Sequence, residues 1–214
     1  MSPVPIREKT SSAWVSACWS SSAPSSEISR RSRASGTPRS AESCRRVSCV
    51  EADNWRNGID VAAGAGANIA LACDVVVAHE KVDFIQAFSA IGLVPDSGGT
   101  FFLPRLVGFQ KALALAMLAD KVNAVEAERI GMIYKVLPSE TFENDAYAIA
   151  KRLANMPTKG LALTKRLFNQ SLTNDLETQL DLEGKLQIEA SQTEDYQEGV
   201  SAFLEKRKPI FKGK

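Results

Sequence analysis

Histidine is almost missing from this chain of 214 residues. His79 is the only one, and the four cysteines include no Cys-x-x-Cys pair. Zinc ligation by a Cys/His set is thereby disfavoured, and no metal site is expected. No apolar run is long enough to cross a bilayer, so no membrane span is expected. There is no Gly-Lys-Ser/Thr, and Gly64-Ala65-Gly66 is followed by Ile69 where a dinucleotide fingerprint needs its third glycine. Neither nucleotide motif is present, and no separate cofactor is expected. With three cysteines in a serine-rich stretch and Cys73 in an apolar pattern, a disulfide framework is also unsupported. A reducing, cytoplasmic setting is the expectation.

What the chain does contain is divided unevenly. Overall it is 44% hydrophobic and 24% charged, an ordinary globular composition. Residues 1–50, however, hold fifteen serines and eight Lys or Arg against three Asp or Glu. The reading is two segments, 1–57 atypical and 58–214 a folded core. The first shows neither helical nor strand periodicity and is expected to be disordered. A transit peptide and a basic nucleic-acid arm displaying Trp14, Trp19 and Trp55 are two interpretations of it. A third, which we favour, is a segment foreign to the rest, such as the product of a shifted reading frame. Translating the coding DNA in the other two frames tests this, since alternating apolar strands leading into Val61 should then appear.

From Val61 the pattern is regular. A helix of small apolar residues is expected over 65–73, a buried strand over 75–78 and a short strand over 82–85. A helix is expected from Gly98 or Gly99, another over 110–119, and one from Ala124 capped by Asn123 and closed by Gly131. A strand over 133–137 stopped by Pro138 follows. Phe142, Ala146, Ile149, Ala150 and Leu153 then mark one helix face, and three more helices run over about 158–171, 175–191 and 195–207. The helix at 175–191 has leucines beyond one stripe, at Leu176, Leu180, Leu182 and Leu186. An oligomer interface and ordinary packing account for it equally well.

Two loops carry the candidate chemistry. Gly64 and Gly66 let the backbone approach another group, and the Ala65 N–H at a helix start suits an oxyanion, although tight packing explains the same residues. Asp96, in Pro95-Asp96-Ser97-Gly98, reads as a turn and cap residue. Its neighbours Ile91, Leu93, Val94, Phe101 and Phe102 would desolvate a carboxylate and suit it to proton transfer. Asn68 and Phe88 fit a pocket lining or the core. Asp74 reads as structural, and His79 as a residue of a surface turn.

The ordered motifs from Val61 to Asp74, Phe84 to Thr100, Leu103-Pro104-Arg105-Leu106-Val107-Gly108, Ala124-Val125-Glu126-Ala127 and Ala202 to Arg207 resemble the crotonase (enoyl-CoA hydratase/isomerase) superfamily. The resemblance implies an α/β fold, a spiral of β-β-α turns with a helical C-terminal region, assembled as trimers or hexamers. It implies an acyl-CoA thioester substrate, CoA being part of the substrate, with no nucleic acid or membrane partner. Ala65 matches a donor of the family's oxyanion hole, with Gly64, Gly66, Asn68 and Phe88 around the substrate. Lys206 matches a lysine that binds the CoA nucleotide. Hydratases place glutamates where this chain has Asn68 and Phe88. The carboxylate is instead Asp96, as in isomerases of the epoxide of phenylacetyl-CoA in phenylacetate degradation. Straight-chain enoyl-CoA isomerase or hydratase activity is the alternative, and an inactive oligomerising or binding protein a further one. The family's N-terminal strands, with the first oxyanion donor, have no recognisable counterpart in 1–57.

Overall fold

The computed structural model describes residues 47–50 and 60–214. These fall into two compact units, one of residues 47–50 and 60–143 and the other of 144–214.

In the first unit the chain alternates between two small sheets. Strands β1 (Val47–Val50), β3 (Val75–His79) and β6 (Lys135–Leu137) form a parallel sheet with β3 in the middle. Strands β2 (Asp60–Ala63), β4 (Val82–Ile85) and β5 (Val122–Asn123) form the other, in which β2 and β4 are parallel and β5 runs antiparallel to β4. Helix α1 (Ala65–Leu71) carries the chain from β2 to β3, and a tight turn returns it to β4. This is one turn of the expected β-β-α spiral. Helices α2 (Gly99–Val107), α3 (Phe109–Leu118) and α4 (Ala124–Arg129) complete the unit.

Small side chains let these layers close. Ala67 and Ala70 of α1 are fully buried, with Val76, Ala78, Val82, Phe84, Leu103 and Ala127 in the same core. Alanine at the crossings brings backbones close, while Val82 and Phe84 supply the apolar payload, each worth roughly 1.5–3 kcal/mol. Asn123 caps α4 as expected, its Oδ1 accepting from Glu126 N–H at 2.9 Å. Gly131 follows with φ 77°, a conformation glycine adopts without strain.

Two expectations need correction here. Val47–Val50 lies inside the segment expected to lack regular structure, yet pairs with β3 from Val47 opposite Val75 to Val50 opposite Ala78. The central strand must satisfy polar backbone groups on both edges, and this short Val-Ser-Cys-Val run meets one of them. The rest of what was expected of 1–57 lies outside the described residues. His79, expected at a surface turn, is instead the last residue of β3 and buried. Its ring packs edge-on against Phe142, 5.6 Å between centroids, and its Nδ1 accepts from Lys81 N–H at 3.1 Å. Phe142 covers it from 63 positions downstream, beyond the reach of any local pattern.

The second unit is helical. Helix α5 (Phe142–Ala154) opens at the end of the first unit, and α6 (Thr158–Ser171), α7 (Leu176–Ser191) and α8 (Glu194–Leu204) follow. Asp175 and Thr193 cap α7 and α8 by accepting from Thr178 N–H and Tyr196 N–H. Gln179 ties α7 to α6 through the Leu167 carbonyl at 3.2 Å. After α8 the chain folds back along it. Buried Asp195 accepts from Lys212 N–H at 2.6 Å and Gly213 N–H at 2.8 Å, and Glu198 accepts from Ile210 N–H at 2.8 Å.

Candidate functional site

The site is built where the start of α1 meets the loop before α2. Gly64 adopts φ 54° and ψ −126°, turning the chain sharply from β2 into the helix. Its N–H donates to Ile85 O at 2.9 Å, which pins that turn to the end of β4. A Cβ on Gly64 would lie 3.5 Å from the Phe88 ring. Phe88 is thus a buried floor beneath the turn. Ala65 and Gly66, half-exposed, stand in the first turn of α1, where N–H groups have no acceptor within the helix.

Asn68, one turn further on, is fully buried and uses both ends of its amide. Its Nδ2 donates to Asp96 O at 2.9 Å, and its Oδ1 accepts from Gln86 Nε2 at 2.8 Å. Asp96 O also accepts from Gly99 N–H at 2.8 Å, closing a β-turn through Ser97 and Gly98. Both carry positive φ, 50° and 80°, as a type I′ turn requires. The turn therefore sits one residue later than Pro95–Gly98. The backbone of Asp96 is held from two directions, and α1 and its loop are joined through Asn68.

The Asp96 side chain differs from expectation in two respects. The N-cap position of α2 is Gly98, so Asp96 does not cap it. Nor is the carboxylate desolvated: Asp96 is exposed, and so are Ile91, Leu93, Val94 and Phe101. Apolar neighbours in sequence desolvate a carboxylate only if they turn inward, and here α2 and the preceding loop present them outward. Lys206 lies in the second unit, exposed, just past the end of α8. Among the described residues no cluster of His, Cys, Asp and Glu is arranged to hold a metal ion. Among them, too, no helix is long and apolar enough to cross a membrane.

Gln86 was not singled out from sequence, although a signal existed. Burial alternates along β4, with Val82 and Phe84 inward, and the same parity carries Gln86 inward as well. A polar side chain on the buried face of a strand needs a partner, and Asn68 is that partner.

The residues from 57 to 214 match the enoyl-CoA hydratase/isomerase family. The chain belongs to that family. A Rhodobacter capsulatus protein named "Probable enoyl-CoA hydratase" is 50% identical to it over 153 residues, covering 72% of this chain and 60% of that protein. The 1,2-epoxyphenylacetyl-CoA isomerase of Escherichia coli K12 is 49% identical over 154 residues, covering 72% and 59%. The crystal structure of an enoyl-CoA hydratase/isomerase from Cupriavidus metallidurans CH34 superposes with a TM-score of 0.68 at 38% identity, covering 72% of this chain and 58% of that one. This chain therefore spans about three fifths of the length of the relatives it matches. The crotonase-like α/β fold expected from the motifs is shown.

Proposed function

We propose that the chain is an acyl-CoA isomerase that converts 2-(1,2-epoxy-1,2-dihydrophenyl)acetyl-CoA to the oxepin-CoA isomer. The observation that carries this reading is the arrangement at residue 96: a solvent-facing carboxylate on a loop whose backbone is clamped to the glycine-rich helix by Asn68. In this mechanism the Ala65 N–H steadies negative charge on the thioester oxygen, and Asp96 takes a proton from the carbon skeleton and returns it. One carboxylate suffices for isomerisation, which gives back the proton it removes, whereas hydration must also activate water. The 49% identity to the 1,2-epoxyphenylacetyl-CoA isomerase of E. coli supports the choice of acyl group. Gly64 and Gly66 allow close approach of the thioester, Phe88 shapes the floor of the pocket, and Lys206 holds the nucleotide end of CoA.

Replacing Asp96 by Asn preserves shape and removes the base. Turnover of the epoxide by the variant is expected to fall by about 10²–10⁴. Wild-type rates in Asp96→Asn would take Asp96 out of the chemistry. Straight-chain enoyl-CoA hydration is the second reading, favoured by the 50% identity to the R. capsulatus protein. Buried Asn68 and Phe88 argue against it, because neither supplies a base for water. Offering both substrates to the same preparation separates the two.

A further inference from the structure

We propose that Gln86 is a positioning residue for Asp96, acting through the amide of Asn68; this rests on the isomerase reading above. The three groups form a chain with only one workable direction. Asp96 O can only accept, so Asn68 must turn its Nδ2 towards it, at 2.9 Å. That leaves Asn68 Oδ1 facing Gln86, whose Nε2 donates to it at 2.8 Å. Gln86 must then point its own carbonyl away, and Oε1 is left buried with no hydrogen-bond partner among the described residues. Reversing both amides would set Asn68 Oδ1 against Asp96 O, two acceptors in contact, so the orphan follows from the direction of the chain.

An unmet acceptor in a residue 4% exposed is a cost to folding that an apolar side chain of the same size would avoid. What Gln86 gives in return is orientation. Asn68 is fully buried and has no slack, since a Cβ on Gly99 would come within 2.2 Å of its Nδ2. An Asn68 amide fixed by Gln86 holds the Asp96 carbonyl in one place, and the carboxylate carbon is three bonds from that carbonyl carbon. Proton transfer to carbon needs such placement, since errors near 1 Å cost about 10²-fold in rate.

Three variants of the full chain test this. Gln86→Met keeps the volume and abolishes the donor. In it, kcat for the epoxide is expected to fall about tenfold or more, with KM changing much less, because Gly64, Gly66 and Lys206, assigned to the thioester and the nucleotide end of CoA, are unchanged. Independently of turnover, hydrogen exchange at the amides of 97–99 should accelerate while those of β3 stay protected. Gln86→Glu should act as a switch. Its protonated acid can donate to Asn68 Oδ1 and its carboxylate cannot, so kcat should drop with rising pH along a titration absent from the wild type. Unchanged exchange at 97–99 in Gln86→Met, or unchanged kcat with only a lower melting temperature, would overturn the proposal. Asp96→Asn is the control for the parent reading, because wild-type turnover there sinks that reading irrespective of the exchange result.

Discussion

Gly99 and Lys206 occupy positions where the wrong side chain matters, in opposite directions. Gly99 is buried against the Asn68 amide, and a Cβ there would lie 2.2–2.7 Å from three of its side-chain atoms. Since Asn68 is held by Gln86 and Asp96 O, it cannot step aside without breaking a buried hydrogen bond. Gly99→Ala is therefore expected to destabilise the chain by about 1–3 kcal/mol in denaturant titration. A loss below about 0.5 kcal/mol would show that the amide network yields easily. Lys206 has φ 56° and closes α8, with Lys206 N–H donating to Phe203 O and Arg207 N–H to Ala202 O. This is the Schellman pattern, whose left-handed residue is usually glycine. Holding lysine there costs about 1–2 kcal/mol, of which the greater freedom of unfolded glycine would cancel part. Lys206→Gly should thus gain roughly 0.5–1 kcal/mol in stability while weakening binding of CoA thioesters, measured by calorimetry. Undiminished affinity would remove Lys206 from the nucleotide subsite.

The C-terminal tail along α8 responds to pH through Glu198. Its carboxylate accepts from both Arg207 Nη atoms at 2.6 and 2.8 Å and from Ile210 N–H at 2.8 Å. The Arg207 hydrogen bonds, with that of Ile210, pull its pKa down to about 2. A carboxylate depressed on folding contributes stability that is complete above its ordinary range and vanishes as pH falls through its folded value. The tail tether should therefore persist at neutral pH and fade from about pH 4.5 down to about 2. Exchange at the Ile210 amide, followed against pH, reads this directly. In Arg207→Met the loosening should begin at higher pH, and an identical profile would remove Arg207 as the cause. Elements of this kind differ in how far sequence exposes them. The cap at Asn123 and the strand at Val75 rest on neighbours in the chain, and they form where expected. Val47–Val50 was hidden because Ser48 and Cys49 break its apolar run at the end of a Ser/Arg-rich stretch, and its pairing partner is distant. At the site, the helix start at Ala65 behind Gly64 was legible from local glycines, whereas the cap and the desolvation expected of Asp96 were not met, because α2 and its loop turn their apolar side chains outward. The Gln86–Asn68 link was not, because it joins residues 18 positions apart through burial alone.

For the whole molecule, the distribution of exposed apolar residues bears on whether one chain is the working unit. Of the leucines that exceed a single stripe on α7, Leu186 is buried, Leu182 half-buried, and Leu176 and Leu180 exposed. Leu176, Leu180, Gly184 and Ile188 follow one another at intervals of four, so they form a ridge along the helix surface. Nothing lies within 4 Å of a Cβ placed on Gly184. A ridge of large apolar groups interrupted by a gap suits a second helix, and the assembly expected from the crotonase resemblance would supply one from another copy. We therefore expect the purified chain to sediment as a species larger than its 23.2 kDa monomer. Leu180→Asp puts a charge on the middle of the ridge while leaving the buried side of α7 intact. It should shift the population towards monomer. Mass action gives a second signature: the melting temperature of an associating wild type rises with protein concentration, and that of the dissociated variant does not. A wild type that sediments at the monomer mass at every concentration, with a concentration-independent melting temperature, would mean that the ridge faces solvent and that self-association is no part of how this chain is stabilised.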